Sequence, residues 1–382
     1  MHIKYPRAKP FFSKQDRKTI LAQAEEILTS GMLTQGKYVQ NFEAKFAAKV
    51  GCQYAVATNS CTSALEIAIR SLGIQEKTIL VPSQTFVASV NSIIMSGNTP
   101  MILDIDQNTM CLSAGQVIDK LNDDVGAVLW VHMAGMVSPD ILRIKSECES
   151  RGIFIIEDAA HAHGASSDGI SAGNLGHVGC FSFYPTKVMA TGEGGMITTN
   201  DKHVFDIASI LRSHGAVRNP ESIAGLDYGV EAKYASQNFR MTEMSAIMGL
   251  TQLEHLDHFV NRRNHIADLY SQQLKQHDEI TLFPKLNNTV HSYWNFYFML
   301  NGIDREQFAK SLLYNYGIQT ANAYDPPCHE QTLYKDFIIS EGYPIANNVL
   351  KRHISLPMYF ELTDDDIRYI TNSVGEVITN LQ

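Results

Sequence analysis

The chain has 382 residues, 45% of them apolar and 19% charged, with a formal net charge of −9 at pH 7. That length supports a sizeable core, in two domains or in one large α/β domain with an appendage. The acid excess gives no general reason to bind nucleic acid or an anionic membrane, so small molecules and protein partners are expected instead.

The opening MHIKYPRAKPFF lacks the apolar stretch of a signal peptide, and no run approaches the length of a membrane-spanning helix, so the expected location is the cytoplasm. A first helix is predicted near Ser13 to Ser30, ended by Gly31, packing across the larger units or outside them. Residues 31–38, GMLTQGKY, fit Gly-x4-Gly-Lys, yet Tyr38 stands where a phosphate-binding loop needs Ser or Thr, and a helix rather than a strand precedes it. A nucleoside triphosphate site is therefore not expected there. The Gly-x-Gly-x-x-Gly of a dinucleotide fold is absent as well.

Seven short apolar runs then alternate with helical stretches: YAVATN (54–59), TILVP (78–82), PMILDI (100–105), AVLWVH (127–132), IFIIED (153–158), CFSFY (180–184) and GMITTN (195–200). Runs this apolar suit strands buried on both faces, and helices such as SALEIAIRSLG (63–73) imply crossovers, so a mostly parallel sheet between helices is predicted. Near residue 240 the pattern changes. Apolar positions from Met241 to His277 recur at helical spacing and read as one long helix leading out of the large unit. SYWNFYFMLN (292–301) reads as a strand, DREQFAKSLLYNYG (304–317) as a helix closed by glycine, and LTDDDIRYI (362–370) as the start of a last helix capped by Thr363. The expected division is a large α/β domain over residues 1–245, and the connecting helix with a smaller α+β domain over 246–382. Six cysteines are scattered without a CxxC pair, which argues against a disulfide framework or a cysteine zinc site.

In open α/β sheets the chemistry gathers at the carboxyl ends of the strands. Asp158 ends one apolar run, where its carboxylate is either a cap for a following helix or a functional charge. His161 and His163 have metal-ligand spacing but no third ligand in view, so no metal is expected. Lys187 follows another run, and a partly desolvated lysine there has a lowered pKa and can attack a carbonyl to form a Schiff base. An aspartate that pairs with a pyridinium nitrogen is the companion such a lysine needs when the carbonyl belongs to pyridoxal phosphate. NSCTSAL (59–65) offers a phosphate cradle, with Ser60, Cys61 and Thr62 where a helix starts after a strand; an ordinary Ser/Thr cap fits the same residues.

These segments, together with SGMLTQGKYVQNFEAKFAAKVG (30–51), VPSQTFVASVNSI (81–93), FSFYPTKVMATGEGGMITTN (181–200), LRSHG (211–215) and NFRMTEMSAIMGLTQLEHLD (238–257), occur in the order of a known family. The chain resembles the nucleotide-sugar aminotransferases of the DegT/StrS type, fold-type I enzymes that use pyridoxal 5′-phosphate. The resemblance implies that Lys187 carries the cofactor's covalent linkage and later shuttles a proton between the substrate carbon and the cofactor's C4′. It implies that Asp158 holds the pyridine nitrogen protonated, and that Ser182, Ser60 and Thr62 bind the phosphate. Phe86 matches the aromatic that stacks on the ring, though a buried core Phe fits TFVASV equally. Asn238 matches a residue that reaches the cofactor phosphate of the neighbouring subunit, which implies a homodimer with shared active sites. The run Gly192 to Gly195 fits a tight turn beside the site or a plain loop between strands. Two positions depart from the family pattern: Cys61 stands where glycine is usual, and His161 where many members have glutamine near the cofactor's phenolic oxygen.

The implied reaction takes an amino group from L-glutamate and gives it to a keto sugar carried on a nucleoside diphosphate, for bacterial surface polysaccharides or glycosylated natural products. An acceptor such as a keto-cyclitol is an alternative reading. Dehydratase relatives replace the lysine by histidine, which Lys187 opposes, and a non-catalytic regulatory relative would show erosion of residues that are all present here.

Overall fold

The computed structural model describes residues 3–218, 230–339 and 341–382. Seven strands form the central sheet, in the spatial order Tyr54–Thr58, Gly195–Thr199, Val178–Ser182, Phe154–Asp158, Val125–Val131, Thr78–Pro82 and Thr99–Leu103. Each coincides with one of the seven apolar runs. Gly195–Thr199 lies antiparallel to both its neighbours, and the remaining pairings are parallel. The sheet is thus mostly parallel, as its sequence pattern requires. Its inner strands are buried on both faces because helices cover both, which is why they carry no polar alternation. The parallel strands share a direction, so Pro82, Val131, Asp158 and Ser182 end at one edge of the sheet.

The first helix, Lys14–Ser30, begins at a Ser13 capping box with Asp16 and stops at Gly31, whose φ of 69° few other residues adopt cheaply. The next helix, Lys37–Val50, starts inside the Gly-x4-Gly-Lys run. Its free amides are already taken: the buried Glu243 carboxylate accepts from the backbone N–H of Gly36 (3.0 Å), Tyr38 (2.9 Å) and Val39 (3.0 Å). A protein carboxylate occupies the place a phosphate would need, and the motif is structural.

Two expectations are corrected. The helix expected from Met241 to His277 is two helices, Glu243–Glu254 and Leu256–Leu274, joined at His255 (φ −100°, ψ −2°). His255 pairs with the Asp16 carboxylate at 3.0 Å, and the break lets the first helix pack on the large core while the second runs on to a smaller one. The strand expected over 292–301 is only Phe296–Leu300. Ser292 and Trp294 instead donate backbone N–H bonds to Gly135 and Ala134, which draws this segment towards the sheet edge.

A second apolar core lies around the antiparallel strands Ile280–Leu282, Phe296–Leu300 and His353–Leu356, with Tyr270, Phe308 and Ile370 among its buried residues. Apart from Tyr5 its buried members run from Ile266 onward, while the larger core extends past residue 245 through Ala246, Leu256, Phe259 and Val260. Tyr5 belongs to the smaller core, and Ala323, Cys328 and Tyr334 return to the larger one. Among the described residues no helix is long and apolar enough to cross a membrane.

Removing the Glu243 carboxylate leaves three buried amides without an acceptor. Glu243→Ala is expected to lower stability by about 3 kcal/mol, read from chemical denaturation followed by circular dichroism. An unchanged midpoint would mean that water already serves that helix end.

Candidate active site

The shared strand edge opens into a cavity of about 560 Å³. Asp158 leaves the strand Phe154–Asp158 and enters it, while its neighbour Glu157 points to the opposite face, as strand geometry demands. Glu157 is fully buried and anchored by four donors: the backbone N–H of Gly173 (2.7 Å), Leu175 (2.8 Å) and Gly176 (2.6 Å), and the His132 ring at 2.8 Å. Asp158 accepts from the Ser89 hydroxyl at 2.7 Å and from the Ala160 N–H at 3.1 Å. No helix follows it; residues 159–164 are turn, so its role as a helix cap is set aside. Burial pushes its pKa up, with the two hydrogen bonds and the nearby Lys187 opposing that shift.

Lys187 sits on the turn that follows Val178–Ser182, its N–H bonded to the Tyr184 carbonyl at 2.9 Å. Its amine lies 4.3 Å from the centre of the Trp294 ring. Burial pushes the amine down to about 8, and the Asp158 charge works against that fall. A partly neutral lysine and a carboxylate therefore face one cavity from adjacent strands.

Ser60, Cys61 and Thr62 line the same cavity at the head of the helix Cys61–Ser71. Ser60 is a true N-cap, its hydroxyl accepting from the Ser63 N–H at 3.1 Å, so the cap and the cavity wall are one residue. The Ala64 N–H goes to the Ser60 carbonyl. This leaves the amides of Cys61 and Thr62 without an intrahelical partner, and with the dipole they make an anion site. Gly195 is required there: a Cβ on it would lie 2.3 Å from the Ser60 carbonyl oxygen and 2.7 Å from the Cys61 nitrogen. The Cys61 thiol is buried and held neutral, which leaves its backbone as the polar group on offer.

Ser182 and Phe86 also line the cavity, and Phe86 is 55% exposed, so it is not a core residue. His161 stacks on Trp294 with ring centres 3.7 Å apart, and its Nε2 lies 2.8 Å from the Tyr324 hydroxyl. Burial keeps this imidazole neutral, and its Nδ1 has no partner among the described residues. His163 goes elsewhere, packed against Phe181 and Phe183. Asn238 is exposed and does not line the cavity of its own chain. The adjacent Phe239 ties it nearby, since the Phe239 carbonyl accepts from the Asn59 N–H at 2.8 Å.

Sequence reasoning missed Trp294, Tyr324 and Arg7, which complete the wall. Trp294 was hidden inside an apparent strand; its indole N–H in fact donates to the Thr186 carbonyl at 2.8 Å, next to Lys187. Tyr324 lies in the segment 321–330, outside every motif named above.

Residues 14–375 match the DegT/DnrJ/EryC1/StrS aminotransferase family. The chain is 33% identical to the spore coat polysaccharide biosynthesis protein SpsC of Bacillus subtilis, over 98% of this chain and 97% of that protein. It is 32% identical to the GDP-perosamine synthase of Escherichia coli O157:H7, over 90% and 91%. Its fold is similar to that of S. venezuelae DesV, with a TM-score of 0.87 and 29% identity, covering 97% of this chain and 98% of that one.

The amine's lowered pKa sets a pH window. Trapping of Lys187 by an aldehyde and cyanoborohydride, followed by mass spectrometry, is expected to rise through a midpoint near pH 8, against about 10.4 for a solvated lysine. The Asp158 charge raises the lysine's pKa, so Asp158→Asn should move the midpoint lower. A midpoint near that of free lysine would show an amine fully exposed to water.

Proposed function

The chain belongs to the DegT/DnrJ/EryC1/StrS aminotransferase family, and we propose that it transfers the amino group of L-glutamate to the keto carbon of a nucleotide-linked deoxysugar. Its cofactor is pyridoxal 5′-phosphate. The product serves a surface polysaccharide or a glycosylated natural product, in keeping with the named activities of its relatives. The observation that carries this reading is the convergence of Lys187, Asp158 and the helix end at Cys61 in one cavity.

The residues present fit the cofactor group by group. The amides of Cys61 and Thr62, with the Thr62 and Ser182 hydroxyls, suit a phosphate at a helix N-terminus. Ser60 shapes that cradle as the helix cap. Phe86 offers an exposed aromatic face to the ring. The unpartnered Nδ1 of His161 would bond the ring hydroxyl, so histidine in place of glutamine keeps a usable polar atom. Asn238 would serve the cofactor of the neighbouring subunit in a cytoplasmic homodimer, which its exposure outside its own cavity favours.

When bound, the cofactor supplies a sink for the electrons left by proton removal from the donor carbon. Asp158 keeps a proton on the pyridine nitrogen, and its Ser89 and Ala160 bonds hold the carboxylate in place to do so. Lys187 would hold the cofactor through its amine and would carry a proton between the donor's α-carbon and C4′. An amine whose pKa lies near 8 has a substantial neutral fraction under physiological conditions, which suits it to both tasks. Trp294, stacked on His161 and beside the amine, excludes water from that side.

Purified protein with pyridoxal phosphate is expected to show a visible absorption band that L-glutamate bleaches. A persistent band would exclude L-glutamate as donor, and no band in folded protein would remove the cofactor assignment. Lys187→Ala is expected to abolish turnover while leaving the protein folded, and Asp158→Ala to lower it by roughly a hundredfold to a thousandfold; steady-state rates check both.

A further inference from the structure

Lys187 and Arg7 are the cationic side chains among the described residues that line the cavity. Arg7 belongs to none of the motifs described above. Its backbone is fixed: the Lys4 and Tyr5 N–H groups donate to the Gly317 carbonyl (2.9 and 3.0 Å), and the Gln319 N–H donates to Tyr5 (2.9 Å). The Arg7 N–H donates to the Gln319 side chain at 3.1 Å, and the Met358 N–H donates to the Arg7 carbonyl at 3.1 Å. Its guanidinium, half-buried at the cavity wall, pairs with no carboxylate among the described residues. A side chain with five donors thus lines the cavity from a backbone anchored on both sides.

The groups beside it are donors too. Asn295 and Tyr297 are buried in the cavity wall, and the Tyr297 hydroxyl accepts from the Asn295 amide at 2.9 Å, which leaves its own proton for another acceptor. Arg7, Tyr297 and Tyr324 line the same cavity as the reactive amine of Lys187. In an amino acid, the reacting nitrogen and the carboxylate share one carbon. A cation in the lysine's own cavity is therefore available to that carboxylate. The diphosphate of a sugar nucleotide is separated from the keto carbon by the sugar ring.

We propose that Arg7, with the Tyr297 hydroxyl, binds the α-carboxylate of the amino donor and so selects amino acids over simple amines. This rests on the donor reading above. Guanidinium and carboxylate make paired, charge-assisted hydrogen bonds that lysine reproduces only in part.

The test compares the cofactor-loaded wild type with Arg7→Gln and Arg7→Lys. Band bleaching is followed with L-glutamate and with 4-aminobutyrate, which lacks the α-carboxylate; binding of 2-oxoglutarate, UDP and GDP is measured by calorimetry. Arg7→Gln is expected to raise the half-saturating L-glutamate concentration and the 2-oxoglutarate Kd by roughly tenfold to a hundredfold. It should also narrow the preference for L-glutamate over 4-aminobutyrate, with Arg7→Lys intermediate and UDP and GDP binding unchanged. Unchanged L-glutamate and 2-oxoglutarate constants would overturn the proposal. A loss confined to UDP or GDP would overturn it as well, by assigning Arg7 to a diphosphate. If the wild-type band does not bleach with L-glutamate, the donor reading fails by itself; Arg7 is then judged on 2-oxoglutarate, whose absent or unaltered binding overturns the proposal.

Discussion

Glu157 and Asp158 are consecutive carboxylates at the end of one strand, and the cavity depends on their being unlike. Glu157 is spent entirely on structure, its oxygens shared among three amides and the His132 ring. Burying a charge is tolerable only with such a full set of donors. The bonds to residues 173–176 tie the loop that leads into Val178–Ser182, so the strand that delivers Lys187 is held in register with the strand that delivers Asp158. A shift of one residue would exchange the two carboxylates, placing the anchored one in the cavity and the free one in the core. Asp158 is then left with two hydrogen bonds and a desolvated environment, and Lys187 with an environment that disfavours its charge. Each moves the other's proton affinity, so the pair is poised by packing rather than by any unusual residue type.

Local chemistry was legible in the sequence where short-range rules decide it. The seven apolar runs became seven strands, Ser13 and Thr363 became capping boxes, and Asp158 came out at a strand end because five apolar or acidic residues preceded it. Gly-x4-Gly-Lys was excluded by the absence of a hydroxyl and a strand; the structure adds the reason the helix end needs no ligand, which is Glu243 arriving from 204 to 207 residues away. The misreadings have the same origin. Periodicity runs straight through His255 because both helices present an apolar stripe, and only the Asp16 contact reveals the break. Trp294 sits in an apolar run, yet it and Ser292 bond to residues 134 and 135, which carries this segment out of the strand. Arg7 gave no signal, since nothing local distinguishes it from a surface arginine.

The two apolar cores are joined by more than the break at His255. Tyr5 is buried in the smaller core, its hydroxyl donating to Asp366, while the helix Lys14–Ser30 packs against Glu243–Glu254 of the larger one. Tyr324 and Ala323 enter the cavity from a segment that then crosses onto the large core through Cys328 and Tyr334. The wall is therefore assembled from widely separated parts of the chain, around Arg7, Trp294 and Tyr324, with the sheet edge as its floor.

The pinning of residues 4–7 has a bearing on how the protein is made. The side chain that receives the Arg7 N–H lies 312 residues further along the chain. Met358, which holds the Arg7 carbonyl, comes later still. The central sheet has all its strands by residue 199 and can collapse early. The cavity cannot be finished until residue 358 has been made, because Arg7 waits for partners synthesised long after it. A nascent chain stalled before residue 317 would lack Tyr324 and the Gln319 and Met358 contacts that fix Arg7.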